Sequence, residues 1–251
     1  MEVQVYIMNN VFAITSGKGG VGKSTVATCI AAAAQRLGKR VLLIDLDEGL
    51  RCLDVMTGIS ESVVLDLADV FNGEAVENAV YPLPEHNGVY LLPAPALRGG
   101  IEDEVFGELI RQVAKDYDMV IADFPAGIDM RLYKQMPDTT RFITVTGPDP
   151  VSIRDAGVVA DNLEAIGKMY NRLIINRFDY SYIKSGVYKG VDDIIDSSRI
   201  QLIGIVPNDI TLTLNQAKGK IAKRGRAVKA FNRIIKRLEG EDVPLPKAKR
   251  I

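Results

Sequence analysis

Residues 17–25 read Gly17-Lys18-Gly19-Gly20-Val21-Gly22-Lys23-Ser24-Thr25, directly after the apolar run Val11-Phe12-Ala13-Ile14-Thr15. Gly17, Gly22, Lys23 and Ser24 satisfy the spacing Gly-x4-Gly-Lys-Ser/Thr of a phosphate-binding loop. Glycines let the backbone take positive φ and bring N–H groups close to phosphate oxygens. Lys23 is placed to reach the β- and γ-phosphates, and the Ser24 hydroxyl to ligate Mg²⁺. The Ala-rich stretch Ser24–Ala34 predicts a helix whose positive N-terminal end faces the same anion. A strand before the glycines and a helix after them make this a nucleoside triphosphate site.

Working outward, apolar runs alternate with helical periodicity. Val11–Thr15, Val41–Ile44, Val89–Leu92, Met119–Ala122, Phe142–Val145, Leu173–Ile175 and Leu202–Val206 read as strands. Helices are predicted over Val64–Phe71, Glu104–Ala114, Val151–Ile166 and Ala227–Leu238. That alternation predicts an α/β fold, doubly wound, with a mostly parallel sheet flanked by helices, Rossmann-like in layout. Ligands of such sheets sit beyond the carboxyl ends of the strands. Ser16, Asp45, Asp123, Asn176 and Pro207 all fall at those ends and are expected to converge on one crevice.

Asp123 closes an apolar strand, the position from which a carboxylate holds Mg²⁺ or its water and complements Ser24. Pro125-Ala126-Gly127 then supplies a loop able to sense a γ-phosphate. Asp45-Leu46-Asp47 is a second acidic site. Alternate residues of a strand end share a side, so Asp45 would face the metal and Asp47 would orient the attacking water. The other reading of these two is a helix cap or a solvated loop carboxylate. Lys18 has no task in an ordinary phosphate loop. It is either solvated or crosses a dimer interface to the partner's phosphates, as an arginine finger does in trans.

Composition narrows the class. The chain has 251 residues, 47% of them hydrophobic, and a net charge of −1. No linker divides it, so one domain over 1–251 is expected, with residues 1–7 as an N-terminal extension and 244–251 as a basic tail. No apolar run reaches membrane-spanning length and no signal peptide is evident, which points to the cytoplasm. Cys29 and Cys52 form no CxxC pair and read as reduced thiols. The single histidine, His86, gives no support to a histidine metal centre. Charge is uneven: from Lys218 to Arg237 there are nine basic residues and no acid. This strip is either a solvated helix face or a surface for an anionic partner, DNA or a membrane.

Together these residues resemble the MinD/ParA group of phosphate-loop ATPases, whose deviant loop reads Lys-Gly-Gly-x-Gly-Lys-Ser/Thr, here Lys18–Ser24. Asp45–Asp54 resembles the MinD first switch more than the ParA one. Val64–Leu67, Leu91–Ala94, Asp123–Ile128 and Ser152–Asp155 are also similar to MinD, and the likeness runs from about Asn9 to Leu245. The resemblance implies an ATP- and Mg²⁺-dependent homodimer that sandwiches its nucleotides, slow hydrolysis stimulated by a partner, and Lys18 acting in trans. It implies that Asn176 and Arg177 lie beside the adenine and Pro207 packs on the ring. It also implies placement of the division septum with MinC- and MinE-like partners, the protein being cytoplasmic or peripheral on the inner membrane face. ParA-like DNA partition and placement of a flagellum or another polar assembly are the alternatives. Two departures stand out. MinD proteins usually continue into an amphipathic membrane-targeting helix, whereas this sequence closes at Lys247-Ala248-Lys249-Arg250-Ile251. The basic strip is the second. Ala227–Leu238 is amphipathic but resembles the last core helix of the family, so core packing is expected of it.

Overall fold

Val11–Thr15 (β1) lies buried along its whole length at the middle of an eight-stranded sheet. Its side chains alternate between the faces: Phe12 and Ile14 join one core cluster, Val11 and Ala13 the other. A strand covered on both sides has no solvated face, so it reads as an unbroken apolar run. The computed structural model describes residues 9–101 and 103–250. The expected extension at 1–7 lies outside the described residues.

The remaining strands are Val41–Asp45 (β2), Tyr81–Pro82 (β3), Val89–Leu92 (β4), Met119–Asp123 (β5), Arg141–Thr146 (β6), Asn171–Phe178 (β7) and Leu202–Pro207 (β8). The order is β3-β4-β2-β5-β1-β6-β7-β8. All pairings are parallel except β3 with β4, a short antiparallel edge. Successive strands leave β1 to one side through β2 and to the other through β6, so the switch point of the doubly wound sheet falls at its carboxyl end.

Helices among the described residues are Lys23–Gln35 (α1), Leu53–Thr57 (α2), Leu67–Phe71 (α3), Asp103–Val113 (α4), Met130–Gln135 (α5), Pro150–Ala165 (α6), Ser181–Lys184 (α7), Val191–Ser198 (α8), Ile210–Gln216 (α9) and Arg226–Leu238 (α10). One face of the sheet carries α1 and α10, with Val26, Ile30, Phe231 and Ile234 in a common cluster. The opposite face is covered by α4, α5 and part of α6 through Phe106, Ile110, Tyr133 and Val159. In α10 the apolar stripe Val228, Phe231, Ile234, Ile235 and Leu238 is buried, so the helix is a core element as expected. Each such side chain contributes roughly 1.5–3 kcal/mol on burial. Among the described residues no helix is long and apolar enough to cross a membrane.

Two expected elements differ. The helix placed at Val64–Phe71 begins only at Leu67, because Asp66 forms a capping box with Asp69 and fixes the entry turn. Val64 is left 86% exposed. The strand placed at Leu173–Ile175 runs on to Phe178, so Asn176 and Arg177 lie within β7 rather than beyond it.

Candidate functional site

The glycine-rich loop leaves β1 and enters α1 at the switch point, with Gly22 at φ 92° as the residue before the helix. Positive φ there turns the chain into the first helical turn at no steric cost. Gly17 is required for another reason. A Cβ at that position would lie 2.4 Å from the Asp155 carbonyl oxygen, so α6 can pass this closely only over glycine. Lys23 is buried although charged, whereas Lys18, Gly19 and Gly20 are exposed. Thr25 donates to Gln216 Oε1 at 3.2 Å and ties the start of α1 to the end of α9.

Two residues hold the loop from behind. Asn176 Nδ2 donates to the Val21 carbonyl at 2.8 Å, and Arg177 Nη1 to the Gly20 carbonyl at 2.9 Å. Binding the carbonyls from outside leaves the opposite, N–H side of those peptides to face an anion. Asn176 is buried and Arg177 takes φ 54° to make this reach. The structure thus shows the two residues expected beside the adenine as braces of the loop, a role that spacing cannot reveal. Pro207, the last residue of β8, is buried at the same sheet edge.

Asp45 and Asp123 end adjacent strands in direct register. The Asp45 carboxylate closes its own loop, accepting N–H bonds from Asp47 at 3.0 Å, Cys52 at 3.2 Å and Leu53 at 3.0 Å. It thus caps α2 from a distance, and the cap reading of this site is met at Asp45. Burial raises its pKa to about 6 despite those bonds. Asp123 is pushed to about 8, first by burial and then by Asp45, while the Ser24 hydroxyl and the Lys23 charge pull it back. Its Oδ1 is buried with no hydrogen-bond partner among the described residues. Cys52 Sγ donates to Ser24 Oγ at 3.3 Å, so Ser24, Cys52 and the two carboxylates share one corner. Asp47 stands beside them, half-buried, lining a cleft of about 410 Å³ with Pro125, Ala126 and Asp129.

Among the described residues no three His, Cys, Asp or Glu side chains form a metal cage. That suits Mg²⁺, which is held by one or two carboxylates together with a substrate's phosphates. An orphaned buried carboxylate oxygen next to a serine hydroxyl is the donor set such an ion takes.

Lys18 is neither solvated alone nor without a partner in its own chain. Its Nζ lies 3.4 Å from Asp149 Oδ1, and the same carboxylate caps α6 through Ser152. Sequence reasoning missed Asp149 at this position, as it missed Cys52 and the buried Tyr133. The Asp-Pro step at the start of a predicted helix is a cap signal that would have flagged Asp149 as structural, but not as the counterion of a residue 131 positions away.

A phosphate loop on the central strand, a Ser–Asp pair at its mouth and a switch-point position define a phosphate-loop nucleotide-binding protein. Residues 12–222 match the family described as the CobQ/CobB/MinD/ParA nucleotide binding domain. The chain is 37% identical over 246 residues to the septum site-determining protein MinD of Synechocystis sp., spanning 94% of this chain and 92% of that protein. It is 32% identical to the MinD of Bacillus subtilis, spanning 95% and 92% respectively. A MinC:MinD cell division protein complex from Aquifex aeolicus superposes with a TM-score of 0.86 at 33% identity, covering 95% of this chain and 99% of that one. The chain belongs to the MinD/ParA family of nucleotide-binding proteins, with the septum site-determining MinD proteins among its relatives.

Proposed function

We propose that this chain is a MinD-type switch: it binds ATP with Mg²⁺, dimerises around the nucleotides, hydrolyses ATP and so helps to place the division septum. The observation that carries the reading is Asp123, whose unpartnered buried oxygen stands beside Ser24 at the mouth of the phosphate loop. Ser24 and Asp123 would hold Mg²⁺, with Asp45 behind them. Bound there, the ion would neutralise charge on the β- and γ-phosphates. Gly17–Thr25 supplies backbone N–H groups to the phosphates and Lys23 a fixed positive charge. Asp47 orients the attacking water, and Lys18 leaves Asp149 to reach the nucleotide of the second subunit. Asn176, Arg177 and Pro207 form the adenine side. The whole chain acts as one domain. Light scattering with ATP and Mg²⁺ tests the reading: a monomer that doubles its mass with ATP and not with ADP supports it, and a constant mass overturns it.

The MinC:MinD complex of Aquifex aeolicus supports a MinC-like partner for this chain, and the likeness to MinD proteins implies a MinE-like activator that speeds hydrolysis. The protein works in the cytoplasm and at the inner face of the membrane. The basic strip favours contact with an anionic surface, DNA being the ParA-like alternative. Lys220 and Lys223 are held by Glu85 at 2.7 and 3.1 Å, and Lys236 by Glu241 at 3.1 Å. Lys218, Arg224 and Lys229 are exposed with no carboxylate within ion-pair distance among the described residues. Charge reversal at those three should abolish ATP-dependent sedimentation with anionic vesicles, or retention on DNA. Binding of either should fall steeply with salt.

A further inference from the structure

Tyr133 is a fully buried phenol on α5, packed edge-on against Phe124 and Phe142 at centroid distances of 4.9 and 5.6 Å. Its hydroxyl is not idle. On one side it makes a short hydrogen bond with Thr15 Oγ1, at the end of β1. On the other it donates to the Gly127 carbonyl at 3.4 Å. Burial raises the phenol to about 12, so it stays neutral and keeps its single proton at any working pH. That proton has two acceptors in reach, and the shorter contact is the one to Thr15.

Gly127 lies in the Pro125-Ala126-Gly127 loop that follows Asp123. Its N–H donates to the Ser16 carbonyl at 3.1 Å, one residue before the phosphate loop begins. The peptides flanking Gly127 are therefore restrained from both sides, the N–H by Ser16 and the carbonyl by Tyr133. At φ 95° a Cβ on Gly127 would meet nothing within 4 Å, so the side facing away from these restraints is open. A γ-phosphate seated on the phosphate loop offers the Gly127 N–H a charged acceptor in place of the neutral Ser16 carbonyl. Taking it means giving up the Ser16 carbonyl and turning that segment, so the bond from Tyr133 must give way as well.

We infer that Tyr133 is a positioning residue that sets how strongly the protein distinguishes ATP from ADP, by holding the Gly127 loop in its γ-phosphate-free arrangement. The hydroxyl pair Thr15–Tyr133 works as a switch for one proton. With Gly127 in place, Thr15 donates to Tyr133 and Tyr133 to Gly127. Once Gly127 turns away, Tyr133 donates to Thr15 instead, so the phenol keeps a partner. ADP lacks the group that draws Gly127 away, so its affinity does not depend on Tyr133.

This inference rests on the proposed ATP-dependent switch, and the experiment separates the two. Fluorescent ATP and ADP analogues are titrated, with Mg²⁺, into the wild type, Tyr133→Phe, Thr15→Val and the double variant. The wild type must prefer ATP in forming dimers; if it does not, the switch reading itself fails. Tyr133→Phe loosens Gly127 and should raise the ATP-to-ADP affinity ratio about threefold to tenfold, with ADP affinity unchanged. Thr15→Val leaves Gly127 as the sole acceptor and should shift the ratio the opposite way. The double variant removes both hydroxyls, relieves any packing cost of an unpaired Thr15 and should keep the raised ratio. A double variant that returns to the wild-type ratio means Tyr133 only satisfies Thr15, and the inference is wrong. Should Tyr133→Phe not fold, Thr15→Val decides alone: a ratio that stays or rises overturns it.

Discussion

Asp45 and Asp123 face each other across the β2–β5 ladder, two carboxylates at one level with their pKa values raised to about 6 and about 8. Burial is the largest cause for each; the charge of Asp45 then adds to the rise at Asp123, and that of Asp47 to the rise at Asp45. A site arranged this way is costly to the free protein and favourable to a bound cation. Asp123→Asn keeps the shape and removes the ionisable group, and with it the cost of holding an acid in this buried place. In buffer free of divalent ions its Tm should rise by about 2–4 °C, the response to roughly 1 kcal/mol in a chain of this size. The same variant should lose Mg²⁺-dependent ATP turnover by about a hundredfold or more. A Tm that falls while turnover persists would show Asp123 to be a structural carboxylate.

Lys18 and Asp149 are 45% and 39% exposed as a pair. Such pairs contribute about 0–1 kcal/mol, so Lys18 leaves at little cost. Asp149→Asn retains a helix-capping side chain for α6 and drops only the charge. It should leave ATP-driven dimerisation intact, whereas Lys18→Ala should block it and leave nucleotide affinity nearly unchanged. Light scattering beside a nucleotide titration reads both. Dimerisation of Lys18→Ala with ATP removes the lysine from the interface.

Lys23→Ala should weaken ATP binding at least about tenfold, since the phosphates lose a buried point charge. Asp47→Ala removes no phosphate contact, so it should bind ATP normally and lose turnover by about a hundredfold. Parental turnover in Asp47→Ala would refute its catalytic assignment.

His86 is buried and its Nε2 has no hydrogen-bond partner among the described residues. Burial, then Lys223 and Arg36, lowers its pKa; the Ile221 carbonyl and Glu85 oppose the shift. A histidine depressed in the folded state gives stability that is whole above the unfolded value of about 6.5 and is lost as pH falls below it. Tm should therefore drop between pH 7 and pH 5 more steeply in the wild type than in His86→Gln. Parallel Tm curves for the two proteins across that range would rule this out.

What was legible in the sequence was local. Gly17 to Thr25 is contiguous, and its positive-φ glycines and following helix need no distant residue to be recognised. Most strand positions were equally plain, because a strand buried on both faces must be apolar throughout. Val64–Phe71 went astray by three residues because Asp66 can cap or continue a helix, and only its bonds to Ala68 and Ala96 decide. The resemblance to MinD/ParA proteins, carried by the same contiguous motifs, held for the family and the fold.

Tertiary structure decided what the chemistry-bearing residues touch. Asn176 reaches Val21 across 155 positions and Tyr133 reaches Thr15 across 118. Periodicity cannot report either separation, since it records which face a residue occupies and not what lies opposite. Asp45 was readable as a strand-end carboxylate, but its choice of the α2 backbone as partner follows from the path of the Asp47–Cys52 loop. The sequence alone marked the end of β1 as the nucleotide-binding loop of a phosphate-loop protein. The braces behind the loop, the resting partner of Lys18 and the hydroxyl that restrains Gly127 exist only once the sheet brings distant strand ends within hydrogen-bond reach.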